Sequence, residues 1–192
     1  MTRPALVLAS TSPRRLELLD RIGVVPARTA APDIDETPIK GESPAAYVAR
    51  LAEAKARAVE RAADEIVLAG DTTVAVGTRI LEKPVDEADL RRMLDLLSGR
   101  RHRCISSVCV IGREGRARVR TVTTIVAFKR LSASEIDWYV ASGEGMGKAG
   151  GYAIQGRAEA FVRFLSGSHS AVVGLPLFET RTLLIAAGLD LG

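Results

Sequence analysis

The chain has 192 residues, 47% of them hydrophobic and 4% aromatic, with 27 lysines and arginines against 23 aspartates and glutamates and a formal net charge of +4. That supplies a substantial core for one domain, or for two lobes sharing a cleft, and excludes disorder. Basic residues interspersed with acidic ones and a scarcity of stacking side chains argue against a nucleic-acid partner and leave an anionic small molecule compatible, while the lack of a long apolar run or a signal-like start argues against a membrane and leads us to expect a soluble cytoplasmic protein.

Leu6 to Leu8 reads as a strand, and Ala9-Ser10-Thr11-Ser12-Pro13-Arg14-Arg15 follows it. Ser12 can cap and Pro13 can open a helix reaching about Ile22. Backbone N–H groups and two guanidinium groups then converge beyond a strand end, which suits a polyphosphate; the alternative is an ordinary capped helix with solvated arginines. Residues 31 to 42 form an acidic, proline-containing loop in which Asp33, Asp35 and Glu36 crowd together. Such carboxylates are solvated, paired with cations or gathered around a metal.

Ser43-Pro44 starts a long helix through about Ala63. Lys55 shares a face of it with Val48, Leu51, Ala52 and Val59, so its ammonium points toward the packed side, either as part of a site or as a snorkelling stem. Ile66 to Ala69 is a short buried strand ending at Gly70-Asp71-Thr72. A carboxylate where a buried strand runs out can position or deprotonate water or hold a divalent metal; a turn aspartate bonding its own backbone is the alternative. Thr73 to Leu81 reads as a hairpin around Gly77-Thr78. Glu82-Lys83-Pro84 then sets a cation on a rigid loop, phosphate-binding or simply exposed.

Asp86 caps a helix with apolar positions Leu90, Met93, Leu94 and Leu97, closed by Gly99. Residues 103 to 128 contain two long strands joined by Gly112-Arg113-Glu114-Gly115, an antiparallel pair. Cys104 and Cys109 are an odd number apart there, so they face opposite sides and serve as buried thiols rather than a disulfide. Ser132 and Glu135 give a capping box before a helix to about Ser142. The glycine-rich stretch 143 to 156 is not a P-loop, which would need glycine at Ser142 and Ser or Thr at Ala149. Its glycines allow a tight turn that presents Tyr152 and Gln155 to a pocket. A strand at Phe161 to Leu165, a turn at Gly167-Ser168 and a helix after Pro176 complete an α/β chain. His102 and His169 lack nucleophile or ligand partners and read as structural.

Together, the Ala9–Arg15 segment, Asp33-Ile34-Asp35-Glu36, Leu51 to Ala56, Ala69-Gly70-Asp71-Thr72, Glu82-Lys83-Pro84, Ser98-Gly99-Arg100-Arg101-His102, Lys148 to Gly156 and Gly174-Leu175-Pro176 resemble the Maf family of nucleoside triphosphate pyrophosphatases, in order and spacing, over nearly the whole chain. The resemblance implies a single domain over 1–192 with a mixed sheet, flanking helices and two lobes around a central nucleotide-binding cleft, as in inosine triphosphatases. It also implies a homodimer and a divalent metal, Mg²⁺ or Mn²⁺, held by Glu36 and Asp71. Asp71 corresponds to the family's proton acceptor, and Ser10, Arg14, Arg15, Lys55 and Lys83 match its other cleft residues. Arg14-Arg15 and Tyr152 to Gly156 resemble the branch acting on dTTP and UTP, in which Arg14, Thr72 and Gln155 align with positions for substrate choice. His169 and Gly147 depart from the family pattern locally. A nucleotide-binding regulator of cell division with little turnover is the alternative function.

Overall fold

Strands β1 (Ala5–Ala9), β2 (Arg28–Ala30), β3 (Glu65–Val76), β4 (Arg79–Leu81), β5 (Arg101–Ile111), β6 (Ala117–Phe128) and β7 (Val162–Ser166) form one mixed sheet, in the order β2-β1-β3-β5-β6-β7 with β4 paired to β3 off that path. These come from a computed structural model that describes residues 4–192; the first three residues of the expected 1–192 domain lie outside it. Helices α1 (Pro13–Asp20), α2 (Pro44–Arg57), α3 (Glu87–Leu97), α4 (Ala133–Val140), α5 (His169–Val173) and α6 (Leu177–Ala186) flank the sheet. No helix of the described residues is long and apolar enough to cross a membrane.

Strand alternation sorts the core into two layers. Odd-numbered Val67 and Ala69 of β3 pack with Cys109 and Ile111 of β5 under Ala52 and Ala56 of α2, and Ala75 and Ile105 lie under Val48 and Leu51. On the opposite face Leu68, Val74, Cys104 and Val108 meet Leu18 and Leu19 of α1, Leu90 and Leu94 of α3, and Leu183 and Leu184 of α6. Cys104 and Cys109 are therefore free thiols in different layers, as their spacing requires. Each fully buried leucine contributes about 1.5–3 kcal/mol.

Three expected boundaries shift, each because tertiary pairing overrides a local signal. β3 does not stop at Gly70-Asp71-Thr72: β5 pairs along it from Val67 to Ala75, with Asp71 opposite Ser107 and Thr72 opposite Ser106. Helix α2 ends at Arg57 rather than near Ala63. The chain beyond it is captured by Arg28, which donates to the Glu60 carbonyl and to Glu65, while Glu65 accepts from the Ala62 N–H. Helix α1 ends at Asp20, and the Ser12 side chain makes no capping bond; its N–H donates instead to Ser10 Oγ. Strand β2 and helix α5 carry too few residues to declare themselves in the pattern. The capping box of Ser132 and Glu135, the Asp86 cap and the β3–β4 hairpin form as expected.

The edges of β3 matter most. Its parallel partner β1 pairs only as far as Leu68, and its antiparallel partner β4 begins at Val74. Residues 69–73 thus have β5 on one side and an open edge on the other.

Gly150 has φ +70°, and a Cβ there would lie 2.8–2.9 Å from three side-chain atoms of Val74. Gly150→Ala combines left-handed strain with a collision against the central strand, so urea denaturation should show a loss of about 1–3 kcal/mol. An unchanged midpoint would mean that the glycine stretch does not rest on β3 as described. His102 is buried, its Nε2 2.9 Å from the Tyr152 hydroxyl and its Nδ1 without a partner. Burial pushes its pKa down to about 4. The unfolded chain therefore takes up a proton near pH 6.5 that the folded chain refuses until about pH 4, and acidification through that window removes up to about 3 kcal/mol of stability. Unfolding at pH 7 and pH 4 should show that part of the pH dependence missing in His102→Phe.

Candidate active site

The open edge of β3 gives onto a cleft of about 910 Å³. All nine residues singled out from the sequence line it: Ser10, Arg14, Arg15, Glu36, Lys55, Asp71, Thr72, Lys83 and Gln155. Because Asp71 and Thr72 are consecutive in a strand, they point to opposite faces, and the cleft reaches both where the sheet is open.

Lys55 is the pivot on the α2 side. Only 8% exposed, its Nζ lies 2.6 Å from Asp71 Oδ1 and 2.8 Å from Glu36 Oε1. The apolar positions of α2 that face the sheet aim this side chain, so the packed-side reading holds and the snorkelling one does not. Glu36 reaches it because its loop is fastened to the same helix: the Tyr47 hydroxyl donates to the Glu36 carbonyl, and Arg50 donates to Glu42 and to the Thr37 carbonyl. Of the other loop carboxylates, Asp35 accepts from the Thr37 N–H and Asp33 is exposed, and neither lines the cleft.

Burial pushes the Asp71 carboxyl above its ordinary value, against the pull of Lys55 and Arg15. For Glu36 partial burial also pushes up, but Lys55, Lys83 and Arg15 outweigh it and hold the carboxyl below the usual range. One acid is thus prepared to accept a proton and its neighbour to stay ionised. Asp71 occupies a mid-strand position with one vacant flank rather than a strand end.

Arg15 braces the opposite wall. Its Nε donates to the Gly174 carbonyl at 2.9 Å and its Nη1 to Ser10 Oγ at 3.0 Å. Ser10 Oγ also accepts from the Ser12 N–H at 3.2 Å. With both lone pairs used, the Ser10 hydroxyl has its proton left to donate to an acceptor in the cleft. Close approach at Gly70, where a Cβ would lie 3.5 Å from Arg15 Nε, lets the guanidinium lie against β3.

Arg14, Lys83 and Lys148 also line the cleft, and among the described residues none of them has a carboxylate within ion-pair distance. Lys148 is pushed below its usual value by burial and by the nearby Arg14 charge. The Gly150 N–H donates to the Glu82 carbonyl, which ties the loop bearing Lys83 to the stretch bearing Lys148. Cations held near one another without a carboxylate at ion-pair distance favour a bound polyanion. Lys148 was missed as a site residue because its flanking glycines read as a turn; its rarity, as one of five lysines in the chain, was the available signal. Gln155 is exposed at the cleft, whereas Tyr152, which also lines it, spends its hydroxyl on His102.

Two carboxylates converging on one ammonium test the fit of a divalent cation. Each ion pair uses one carboxylate oxygen, so each acid retains a second. Hard cations such as Mg²⁺ are commonly held by one or two carboxylates plus ligand phosphate oxygens. No cluster of three His, Cys, Asp or Glu side chains suited to a metal occurs among the described residues, and the two carboxylates would hold such a cation together with oxygens of a phosphorylated ligand.

Fold and site together define an α/β protein with a cation-lined cleft built around a buried carboxylate. The sequence matches the Maf-like protein family over residues 5–187, and the chain belongs to that family. Relatives bearing the name dTTP/UTP pyrophosphatase include those of Sphingopyxis alaskensis, 78% identical over 98% of this chain and 100% of that protein, and Novosphingobium aromaticivorans, 62% identical over 97% and 94%. That of Caulobacter vibrioides is 55% identical over 96% of each. A solved dITP/XTP pyrophosphatase from Mycobacterium abscessus aligns over 95% of this chain and 93% of its own, at 17% identity and a TM-score of 0.42, a likeness too loose to bear on the site.

Lys55→Met should leave Asp71 buried without its main partner. The expected cost at neutral pH is about 3–5 kcal/mol relative to the parent chain. Since the folded-state value of Asp71 then lies further above its unfolded one, the variant regains stability as the pH falls through that raised value. Urea unfolding of both proteins at neutral and acid pH checks this, and a deficit independent of pH would contradict the pairing.

Proposed function

We propose that the chain hydrolyses dTTP and UTP to the nucleoside monophosphate and pyrophosphate. The observation that carries this reading is the meeting, in one cleft, of a buried carboxylate with raised proton affinity and a set of cations lacking acidic partners. The whole-length likeness to relatives named for that activity supports it.

Asp71 accepts a proton from a water whose oxygen attacks the α-phosphorus; the bond from that phosphorus to the α,β-bridging oxygen breaks, and pyrophosphate leaves with the bonding pair. Lys55 holds the Asp71 carboxylate in place and keeps it ionised until the proton arrives. Arg14, Lys83 and Lys148 neutralise charge that moves onto the departing pyrophosphate, and Ser10 donates to a phosphate oxygen. Arg15 fixes Ser10 and adds its charge nearby. Glu36 and Asp71 would hold a divalent cation, Mg²⁺ or Mn²⁺, which when bound supplies further charge neutralisation at the phosphates. Gln155 can pair with a pyrimidine edge through its amide.

The purified protein with Mg²⁺ or Mn²⁺ should release pyrophosphate, not orthophosphate, from dTTP and UTP, as resolved by chromatography of the products. Asp71→Asn is nearly isosteric and should lower kcat by about 10²-fold or more while leaving the far-UV circular dichroism unchanged. Tight nucleotide binding with no product would instead fit a regulatory protein.

A further inference from the structure

Ser106 belongs to the fully buried part of β5 and has no access to the cleft. It nevertheless controls a side chain that does. Its Oγ lies 2.7 Å from Thr72 Oγ1 and 3.3 Å from the backbone carbonyl oxygen of Asp71. Two hydroxyl protons must be placed among these three oxygens, and the carbonyl can only accept. If Ser106 donates to the carbonyl, Thr72 donates to Ser106 and both protons are used inside the protein. If Ser106 donates to Thr72 instead, only one bond forms and the carbonyl loses its side-chain donor. Within the protein the first arrangement makes two hydrogen bonds where the second makes one, and because Ser106 is fully buried and its bond to the Asp71 carbonyl has no solvent substitute, that difference decides.

We infer that Ser106 fixes Thr72 Oγ1 as an obligate hydrogen-bond acceptor toward the cleft, and that this acceptor selects substrates bearing the imide N3–H of uracil or thymine. This rests on the pyrimidine triphosphatase reading above. Thr72 shares its strand face with Val74, against which Gly150 packs, so the stretch carrying Gln155 lies on the same side of the sheet. On that side Thr72 and Gln155 add neutral polar groups beside Arg15, which packs against Gly70 of the same strand face, while Asp71, Lys55 and Glu36 gather on the α2 side. The Gln155 amide presents a donor and an acceptor and can turn over, so it serves cytosine as readily as uracil. A fixed acceptor cannot. It accepts from the N3–H of uracil or thymine and opposes the N3 lone pair of cytosine, leaving the Gln155 amide N–H for O4. Ser106 is thus a positioning residue acting through Thr72.

The test compares kcat/KM for UTP and CTP, and affinities for their non-hydrolysable α,β-methylene analogues, in the full-length protein and in Ser106→Ala, Thr72→Val, Thr72→Ser and the Ser106→Ala/Thr72→Val double variant. Ser106→Ala and Thr72→Val should each narrow the preference for the uracil nucleotide by about tenfold, the effect of one hydrogen bond. Thr72→Ser should retain it, and Ser106→Ala should change nothing further in the Thr72→Val background. UTP methylated at N3 should lose the preference, whereas 3′-deoxy-UTP should keep it. Equal losses for UTP and CTP in Ser106→Ala would reduce that residue to a packing role and overturn the inference. So would loss of preference with 3′-deoxy-UTP alone, which would make the sugar hydroxyl the donor. A parent protein that binds the uracil analogue selectively but turns over neither nucleotide would overturn the proposed activity and leave this inference standing.

Discussion

The ammonium of Lys55 between Asp71 and Glu36 is the interaction on which the rest of the site depends. A carboxylate buried in a sheet is expensive to ionise, and the Lys55 ammonium at hydrogen-bond distance opposes the push of burial toward the neutral form of Asp71. Lys55 in turn requires burial, which α2 provides by packing Val48, Leu51 and Ala52 on the same helix face. Packing and chemistry are therefore inseparable along this helix. The residues that hold it to the sheet are those that aim its lysine.

Where the charges can act is set by the sheet. A strand flanked on both sides along its whole length would bury Asp71 beyond reach of any ligand. Because β1 stops pairing at Leu68 and β4 starts at Val74, five residues of β3 keep one flank vacant, and a ligand can approach the strand edge-on. The same gap gives access to two sheet faces at once. The buried ion-paired carboxylate of Asp71 then lies on the face under α2, and the Thr72 hydroxyl lies on the opposite face, beside Arg15.

Much of this was legible in the sequence because it is local. The helical face of Lys55, the rigid Lys83-Pro84 loop, the turn glycines and the caps at Asp86 and Ser132 follow from spacing and backbone preference, and the family resemblance gathered the separate motifs into one cleft. The rest depends on pairing between distant segments. Gly70-Asp71-Thr72 has the composition of a turn, and only the β5 ladder opposite makes it a strand. Nothing near Arg15 announces that its guanidinium is directed at a carbonyl 159 residues away. Ser106 carries no local signal either, since its importance lies in what faces it across the sheet.

The Arg15 bridge to Gly174 also ties the two ends of the fold together. The guanidinium that donates to Ser10 Oγ is held in direction by a carbonyl 159 residues further along, in the turn between α5 and α6. Any substitution that displaces this turn is therefore felt at the Ser10 wall of the cleft, even where the substituted residue does not line that wall.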